Sequence, residues 1–131
     1  MNISELVRNA KRARLNARAA HSGFKVGAAL ETRKGKVFGG CNVENSSYGL
    51  TVCAERVAIW KALSEGESEF KRMVIVADTE ALTPPCGACR QILWEYCGDI
   101  TVVLANLRGD RATYRMSTLF PKPFDDRFLN K

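Results

Sequence analysis

The chain has 131 residues, which predicts one domain built around a single hydrophobic core. Hydrophobic residues make up 46% and charged residues 26%, as in ordinary soluble proteins, and no apolar run approaches the roughly 18 residues that a membrane helix needs. The net charge of +6 permits polyanion binding, but the basic residues are spread without a dense cluster and suit a general solubility role equally well.

The N-terminal segment and the cysteines indicate where the protein resides. The segment lacks the apolar core of a secretory signal. Its basic residues invite a transit-peptide interpretation, but the acidic Glu5 lies among them and the segment continues directly into folded sequence. Five cysteines, an odd number, without an export signal favour a reducing compartment. We therefore expect a cytoplasmic protein without a membrane partner.

Hydrophobic periodicity divides the chain into helices and strands. In chain order the predicted elements are a helix over 3–17, strands over 26–32 and 36–42 with a hairpin turn at Gly35, a helix over 52–63 capped by Thr51, a strand over 73–78, a helix over 86–96, and strands over 100–105 and 113–116. The segment from Leu119 is rich in Pro and Phe and is predicted to be irregular. The strand–helix–strand order of 73–105 predicts a parallel crossover. These elements indicate an α/β fold with one mixed sheet covered by helices.

The segment TPPCGACRQ, residues 83–91, places two cysteines at the start of a predicted helix. The spacing of three between Cys86 and Cys89 puts both sulfurs on one face. A helix N-terminus favours thiolates, and thiolates bind zinc tightly. A thioredoxin-like redox pair would follow a strand directly, whereas the loop 79–85 intervenes here, which disfavours that alternative. Two thiolates make a poor zinc site, so a third ligand is expected.

Cys53 is the candidate for the third ligand, because it opens the other predicted helix in TVCAERVAIWKA. Three protein ligands would leave one tetrahedral position for water, as in catalytic zinc sites. The alternative is a closed structural site with Cys41, Cys97 or His21 as the fourth ligand. Cys41 and Cys97 lie among apolar residues, where an inert buried cysteine is the usual case.

Glu55 lies two positions after Cys53, in the first turn of the same predicted helix. Such a carboxylate is placed to take a proton from water at the metal and pass it on as general base and acid. Alone, it would merely be an acid that suits the helix dipole. Together with Pro85, Cys86 and Cys89, it completes Cys-x-Glu followed by Pro-Cys-x-x-Cys. This is the zinc deaminase signature, with Cys replacing the His that some members use.

With these motifs the chain resembles the small homotetrameric cytidine deaminases that bind zinc through three cysteines. The matching stretches cover nearly the whole chain: SGFKVGAAL (22–30), GCNVENSSYG (40–49), CAERVAIWKALSEG (53–66), PPCGACRQIL (84–93) and LFPKPF (119–124). The resemblance implies one catalytic domain over 1–131 and a three-layer α/β/α fold with a five-stranded mixed sheet. It implies one Zn²⁺ per chain and hydrolytic deamination of cytidine and 2′-deoxycytidine to uridine and 2′-deoxyuridine, with release of ammonia, in pyrimidine salvage.

The resemblance also implies a role for each matching site residue. Cys53, Cys86 and Cys89 match the zinc ligands, Glu55 the proton shuttle, and Arg56 an arginine that draws charge from the ligand sulfurs. Phe24 and the backbone of Ala54 and Cys86 match groups near the base. Asn42 and Glu44 match contacts to the ribose 3′-hydroxyl. Tyr48, in the loop 45–48, and Phe124 match groups that complete a neighbouring subunit's pocket. Arg56 could instead be a solvated helix residue, Asn42 and Glu44 could serve turn chemistry, and Phe24 and Phe124 could be core residues.

The chain departs from the family where members usually carry a tyrosine and a proline, and has Ala20 and His21 instead. This departure concerns the subunit contact or the rim of the pocket. Three alternative functions stay open: a deaminase of another aminopyrimidine such as blasticidin S, a nucleic-acid-editing deaminase, and a non-catalytic zinc module. The intact NVEN at 42–45 favours an ordinary nucleoside, and the chain has no spare length to grip flanking nucleotides. We therefore expect a homotetramer that acts on free nucleosides and has no nucleic-acid partner.

Overall fold

The computed structural model describes residues 1–129; residues 130 and 131 of the predicted 1–131 domain lie outside the described part. The described helices are α1 (Ile3–Arg14), α2 (Ala54–Ser64), α3 (Gly87–Cys97) and the short α4 (Met116–Leu119). The strands are β1 (Val26–Thr32), β2 (Val37–Cys41), β3 (Phe70–Ala77), β4 (Thr101–Ala105) and β5 (Arg111–Arg115), and single 3₁₀ turns occur at Tyr48–Leu50 and Asp126–Phe128.

The strands form one mixed sheet in the order β2-β1-β3-β4-β5. β1 pairs with both β2 and β3 in antiparallel register, and β4 pairs with β5 in the same way. β3 and β4 are parallel and are joined through α3, so the predicted crossover is confirmed. The predicted mixed five-stranded sheet is likewise confirmed, with β5 at its edge.

Helices cover both faces of this sheet. The central strand β3 is buried on both sides, and its residues alternate between the two layers because successive side chains of a strand point in opposite directions. Val74 and Val76 face α1 and pack with Leu6 and Ala10, whereas the neighbouring residues of β3 pack on the other face with α2 and α3. This alternation produces the three-layer arrangement, and it leaves the N-termini of α2 and α3 on the same face.

Two element boundaries differ from prediction because tertiary pairing overrides local pattern. α1 ends at Arg14, three residues before its predicted end, and the chain beyond it pairs with the segment after β2: Arg18 N donates to Asn42 O at 2.9 Å. The prediction that Thr51 caps α2 is wrong. The main chains of Val52 and Val43 exchange two hydrogen bonds of 3.0 Å, which keep Val52 extended and move the cap to Cys53.

The other boundary errors lie in the second half of the sheet. β3 begins at Phe70, three residues before its predicted start, because Phe70 pairs with Thr32 of β1 beyond a register shift. The predicted last strand over 113–116 begins earlier, at Arg111, and ends at Arg115. Met116 is fully buried and instead begins the short α4, which the sequence analysis did not predict.

The close approach of α2 to β2 depends on Gly40. A Cβ atom there would lie 2.4 Å from the carbonyl oxygen of Ala54 and 2.6 Å from the amide nitrogen of Ala58, so the helix backbone would have to move. We expect Gly40→Ala to lower the free energy of unfolding by about 3 kcal/mol, as overpacking does. Chemical denaturation measures this effect, with Gly39→Ala as the matched control: its Cβ would lie at ordinary contact distances, 3.4 Å from the Ala13 Cβ and 3.8 Å from Ala28 O. Equal stabilities of the two variants would contradict the packing described here.

Candidate active site

The N-termini of α2 and α3 bring three cysteines together. Cys53 is the N-cap of α2, Cys86 is the N-cap of α3, and Cys89 lies in the first turn of α3. Neither N-cap thiol caps its own helix, so both sulfurs are free to point outward. The three sulfurs lie within 4.8 Å of one another, and those of Cys53 and Cys86 are 3.8 Å apart. The structure therefore assembles all three predicted ligands in one cluster.

The spacing and chemistry of this cluster fit zinc. Tetrahedral ligands with zinc–sulfur bonds of 2.3 Å lie about 3.8 Å apart, which is the separation found between Cys53 and Cys86. Within residues 1–129 this group contains the three cysteines and no fourth ligand. Cys41, Cys97 and His21, the alternatives for a fourth ligand, are not members of this group. His21 is exposed, with its ring against Tyr48. Burial raises the pKa of the Cys97 thiol to about 12, which disfavours a thiolate there. A site with three protein ligands thus fits better than a closed structural one.

The electrostatics of the cluster are those of a thiol beside a thiolate. A hydrogen bond from Cys89 is the main reason that the pKa of Cys53 falls to about 5, and the same contact raises the pKa of Cys89. Without a metal, therefore, one thiolate forms at the expense of its neighbour. A divalent cation at the centre would allow all three sulfurs to ionise, helped by the two helix N-termini that point at them.

Arg56 contacts the cluster directly. Its Nη2 atom donates a hydrogen bond to the Cys53 sulfur at 3.4 Å, and this bond raises the pKa of the guanidinium. Its Nε atom is buried and has no hydrogen-bond partner in the described part of the chain. The side chain is thus held against a ligand sulfur and is not freely solvated.

Glu55 lies beside the cysteines at the base of a cavity. Only 4% of the residue is exposed, and burial is the main cause that raises the pKa of its carboxyl to about 7. A carboxyl with that pKa can exist both with and without its proton near neutral pH, which a proton carrier requires. It lines the same cavity as Cys53 and Cys86.

This cavity has a volume of about 310 Å³, within the range of small-molecule sites. It is lined by four residues predicted to bind substrate: Phe24, Asn42, Glu44 and Ala54. Phe24 is 41% exposed at the cavity, so the alternative that it is a core residue is wrong. A second cavity of about 220 Å³ lies between α1 and the β4–β5 turn and contains none of the predicted site residues.

Asn42 and Glu44 also build the cavity wall. The Asn42 side chain accepts from Val26 N at 2.9 Å and donates to Phe24 O at 2.7 Å. The Glu44 carboxylate accepts the backbone N–H groups of residues 21 and 22, at 2.9 and 3.0 Å, and the hydroxyl of Ser22. The Ser22 hydroxyl is the main cause that lowers the pKa of Glu44, which is therefore ionised at neutral pH. Both side chains fix the segment that carries Phe24.

Tyr48 and Phe124 lie outside the cavity of their own chain. Tyr48 is 77% exposed and makes an edge contact with His21 at 5.9 Å between ring centroids. Phe124 is 57% exposed and stacks on Phe128 at 5.8 Å. The alternative that Phe124 belongs to the core is therefore wrong.

Some lining residues were missed by the sequence analysis. Ser22 and Thr83 line the cavity, and Ser22 also donates to Glu44 and accepts from Phe24 N at 2.9 Å. Ser22 lies in the matching stretch SGFKVGAAL, so that match was the signal that could have identified it. Ile75 also lines the cavity, but nothing in an apolar strand shows which of its residues will face a pocket.

The two motifs of the sequence now lie around one cavity, and this arrangement on a three-layer fold defines the class of zinc-dependent deaminases. Residues 1–105 match a family model described as the cytidine and deoxycytidylate deaminase zinc-binding region. The chain therefore belongs to the cytidine and deoxycytidylate deaminase family.

Individual relatives agree with this assignment. Cytidine deaminase of Sporosarcina psychrophila is 44% identical over 131 residues, which is 99% of this chain and 96% of that protein. The crystal structure of cytidine deaminase from Burkholderia pseudomallei has a TM-score of 0.92 and 47% identity, covering 95% of this chain and 100% of that chain. Blasticidin-S deaminase of Bacillus cereus is 31% identical over 104 residues, which is 73% of this chain and 74% of that protein.

Proposed function

We propose that this protein is a cytidine deaminase that hydrolyses cytidine and 2′-deoxycytidine to uridine and 2′-deoxyuridine and releases ammonia. The observation that carries the proposal is the convergence of three cysteines and the buried Glu55 on one cavity. Relatives named cytidine deaminase that match nearly the whole chain support the choice of substrate. The cavity of about 310 Å³ has the size of a small-molecule site, which favours a free nucleoside over nucleic acid.

The residues of the site divide the reaction between them. Cys53, Cys86 and Cys89 would hold Zn²⁺, which when bound would supply a water nucleophile that is active near neutral pH. The Glu55 carboxylate would take one proton from the attacking water and deliver it to N3 of the base. It would then take the second proton from the hydroxyl bound at C4 and deliver it to the amine, so that the C4 carbonyl forms as ammonia leaves. The backbone of Ala54 and of Cys86 meets the amide edge of the base and holds C4 close to the site.

Arg56 adjusts the charge of the metal centre in this proposal. Three thiolates carry more negative charge than one Zn²⁺ neutralises, which weakens the metal as a Lewis acid. The Arg56 hydrogen bond to the Cys53 sulfur withdraws part of that charge. The Arg56 Nε atom is buried and has no hydrogen-bond partner among residues 1–129, which supports a side chain that is held by the site and not by solvent.

The ribose is bound by Asn42 and Glu44 at the other side of the cavity. We expect Glu44→Gln to raise the KM for cytidine by about tenfold or more, because a hydrogen bond to a charged acceptor is weakened. The KM for the substrate and the circular dichroism spectrum are measured together, with Glu69→Gln as control. Glu69 is an exposed partner of Arg33 outside the cavity. A KM equal to that of the unchanged protein would remove Glu44 from the sugar site.

We also propose a homotetramer in which the loop 45–48 and Phe124 complete a neighbouring subunit's cavity. The exposure of Tyr48, Leu50, Phe124 and Phe128 supports this proposal, because clustered apolar surface commonly marks an interface. Multi-angle light scattering of the purified protein tests it, and a monomer with full activity would contradict it.

The same proposal extends to the domain organisation, the location and the metabolic role of the protein. We propose that residues 1–131 form one catalytic domain that acts in the cytoplasm, in pyrimidine salvage. The match of relatives over 99% of the chain supports one domain, and five free cysteines suit a reducing compartment. Over the part of the chain that is described, no helix has the length and apolar character needed to cross a membrane.

A panel of substrates tests the function. Cytidine, 2′-deoxycytidine, blasticidin S and a cytidine-containing oligonucleotide are each incubated with the zinc-loaded protein, and deamination is followed by ultraviolet absorbance. We expect turnover of both nucleosides and little of the other two. Turnover of blasticidin S alone would favour the second candidate, for which the 31% identity to blasticidin-S deaminase is the supporting observation. Salt-dependent turnover of the oligonucleotide alone would favour an editing deaminase.

A further inference from the structure

Helix α3 carries two of the metal ligands at its N-terminus and also binds the C-terminal segment along its side. Three side chains of α3 make these contacts. The Arg90 Nη1 atom donates to Leu119 O at 2.6 Å, and Gln91 Nε2 donates to Phe124 O at 2.7 Å. The indole N–H of Trp94 donates to the Asp125 carboxylate at 2.9 Å. Residues 119–125 begin at the last residue of α4 and are held to α3 by these polar side-chain bonds, while Leu119 and Phe120 also pack against the core.

The Nε side of the Arg90 guanidinium group contacts the residue that precedes the metal ligand Cys86. Its Nε atom donates to Pro85 O at 2.8 Å, and its backbone N–H donates to Cys86 O at 2.9 Å. A single residue thus holds the carbonyl before Cys86 and the carbonyl of Cys86 itself. Both side-chain bonds of Arg90 go to backbone carbonyls, which suits the planar fork of a guanidinium group better than the single ammonium of lysine.

The start of the loop before Cys86 is fixed by side-chain hydrogen bonds, between the Thr79 and Thr83 hydroxyls at 3.0 Å and from Asn106 Nδ2 to Thr79 O at 3.0 Å. At its end, within residues 1–129, residues 84 and 85 take part in one side-chain hydrogen bond, that from Arg90 to Pro85 O. Proline has no N–H group, and two prolines precede this cysteine. Over residues 1–129, the backbone–backbone hydrogen bonds outside regular elements include none from residues 79–85. Cys86 is also the exposed member of the cluster, whereas Cys89 is fully buried in α3. The bond from Arg90 N–H to Cys86 O is the ordinary first-turn bond of α3, so the side chain of Arg90 acts on Cys86 through the Pro85 carbonyl.

We propose that Arg90 is a positioning residue for the metal ligand Cys86, and that it couples docking of the C-terminal segment to retention of zinc. The guanidinium bridges Pro85 O to Leu119 O, so loosening residues 119–125 loosens the group that orients the ligand. The inference rests on zinc binding by the three cysteines, and it holds whichever nucleoside is the substrate.

Zinc affinity tests the positioning role without any use of activity. Zinc-loaded protein is titrated with a chromogenic chelator, for the unchanged chain and for Arg90→Gln. We expect Arg90→Gln to bind zinc about 10- to 100-fold more weakly, as is usual when a group that orients a ligand is lost. If this variant is not obtained folded, Arg90→Lys serves, with a smaller loss expected. Arg115→Gln is the control, because it breaks only contacts to Asp99 at 3.3 Å or less and should leave zinc affinity unchanged.

The coupling to the C-terminal segment is tested by a double-mutant cycle. Trp94→Phe keeps the ring but removes the N–H that binds Asp125, and we expect it to weaken zinc binding in the unchanged background and not in Arg90→Gln. An equal effect of Trp94→Phe in both backgrounds would overturn the coupling. Unchanged zinc affinity in Arg90→Gln, with a lower unfolding temperature of the zinc-free protein, would show that Arg90 only stabilises the fold and would overturn the positioning role.

Discussion

Glu55→Gln binds zinc normally and loses nearly all turnover of cytidine: we expect kcat to fall by about 10²- to 10⁴-fold, the usual contribution of a general acid and base. Glutamine has nearly the shape of glutamate but carries no transferable proton. The carboxyl is buried and its pKa is raised to about 7 by that burial, so replacing it by a neutral amide places no new charge in the interior. The fold and the three cysteines should therefore be preserved.

The rate of uridine formation and the zinc content are measured on the same sample of this variant. Glu65→Gln is a suitable control, because Glu65 lies at the opposite end of α2 and makes only an exposed ion pair with Lys36 at 3.7 Å. That control should turn over cytidine at the normal rate. Near-normal activity of Glu55→Gln would eliminate the proposed proton transfer.

Cys86→Ala loses both zinc and activity. Two remaining thiolates make a weak site, and Cys86 is exposed, so truncating its side chain leaves no cavity in the core. Because metal binding adds to the stability of the folded state, the variant should also unfold at a lower temperature than the zinc-loaded protein.

Atomic absorption and a thermal melt in parallel measure these two effects. Cys97→Ala is the matched control: Cys97 lies at the far end of α3, outside the metal cluster, and its removal should leave the zinc content unchanged. A Cys86→Ala protein that still holds one zinc per chain would show that the cysteine cluster has been misassigned.

The sequence predicted most of the fold because its signals are local. β1 was predicted at its observed bounds, Val26–Thr32, and β2 within one residue at each end, because apolar strands flank a glycine turn. Gly35 has a positive φ of 92°, which that turn requires. The metal cluster was predicted because Cys-x-Glu and Pro-Cys-x-x-Cys combine chemically unusual residues at a fixed spacing. Each motif lies at the start of a helix, and the two helix starts lie at one end of the sheet.

Features that depend on contacts distant in sequence were not predicted. The cap of α2 lies at Cys53 because Val52 pairs with Val43, and no local pattern at Thr51 reveals that pairing. Ser22 acquires its place in the site only when the chain brings it to Glu44. Likewise, the bond from Arg90 to Leu119 O joins residues that are 29 positions apart in the sequence.

A zinc titration of the metal-free protein, with cytidine present, shows whether turnover depends on the metal. Zinc is removed with a chelator under reducing conditions, and uridine formation is followed by ultraviolet absorbance as zinc is returned. We expect no turnover without metal and a linear rise that ends at about one zinc per chain, the capacity of one three-cysteine site. Full turnover by the metal-free protein, or saturation with zinc without turnover of either nucleoside, would contradict this expectation.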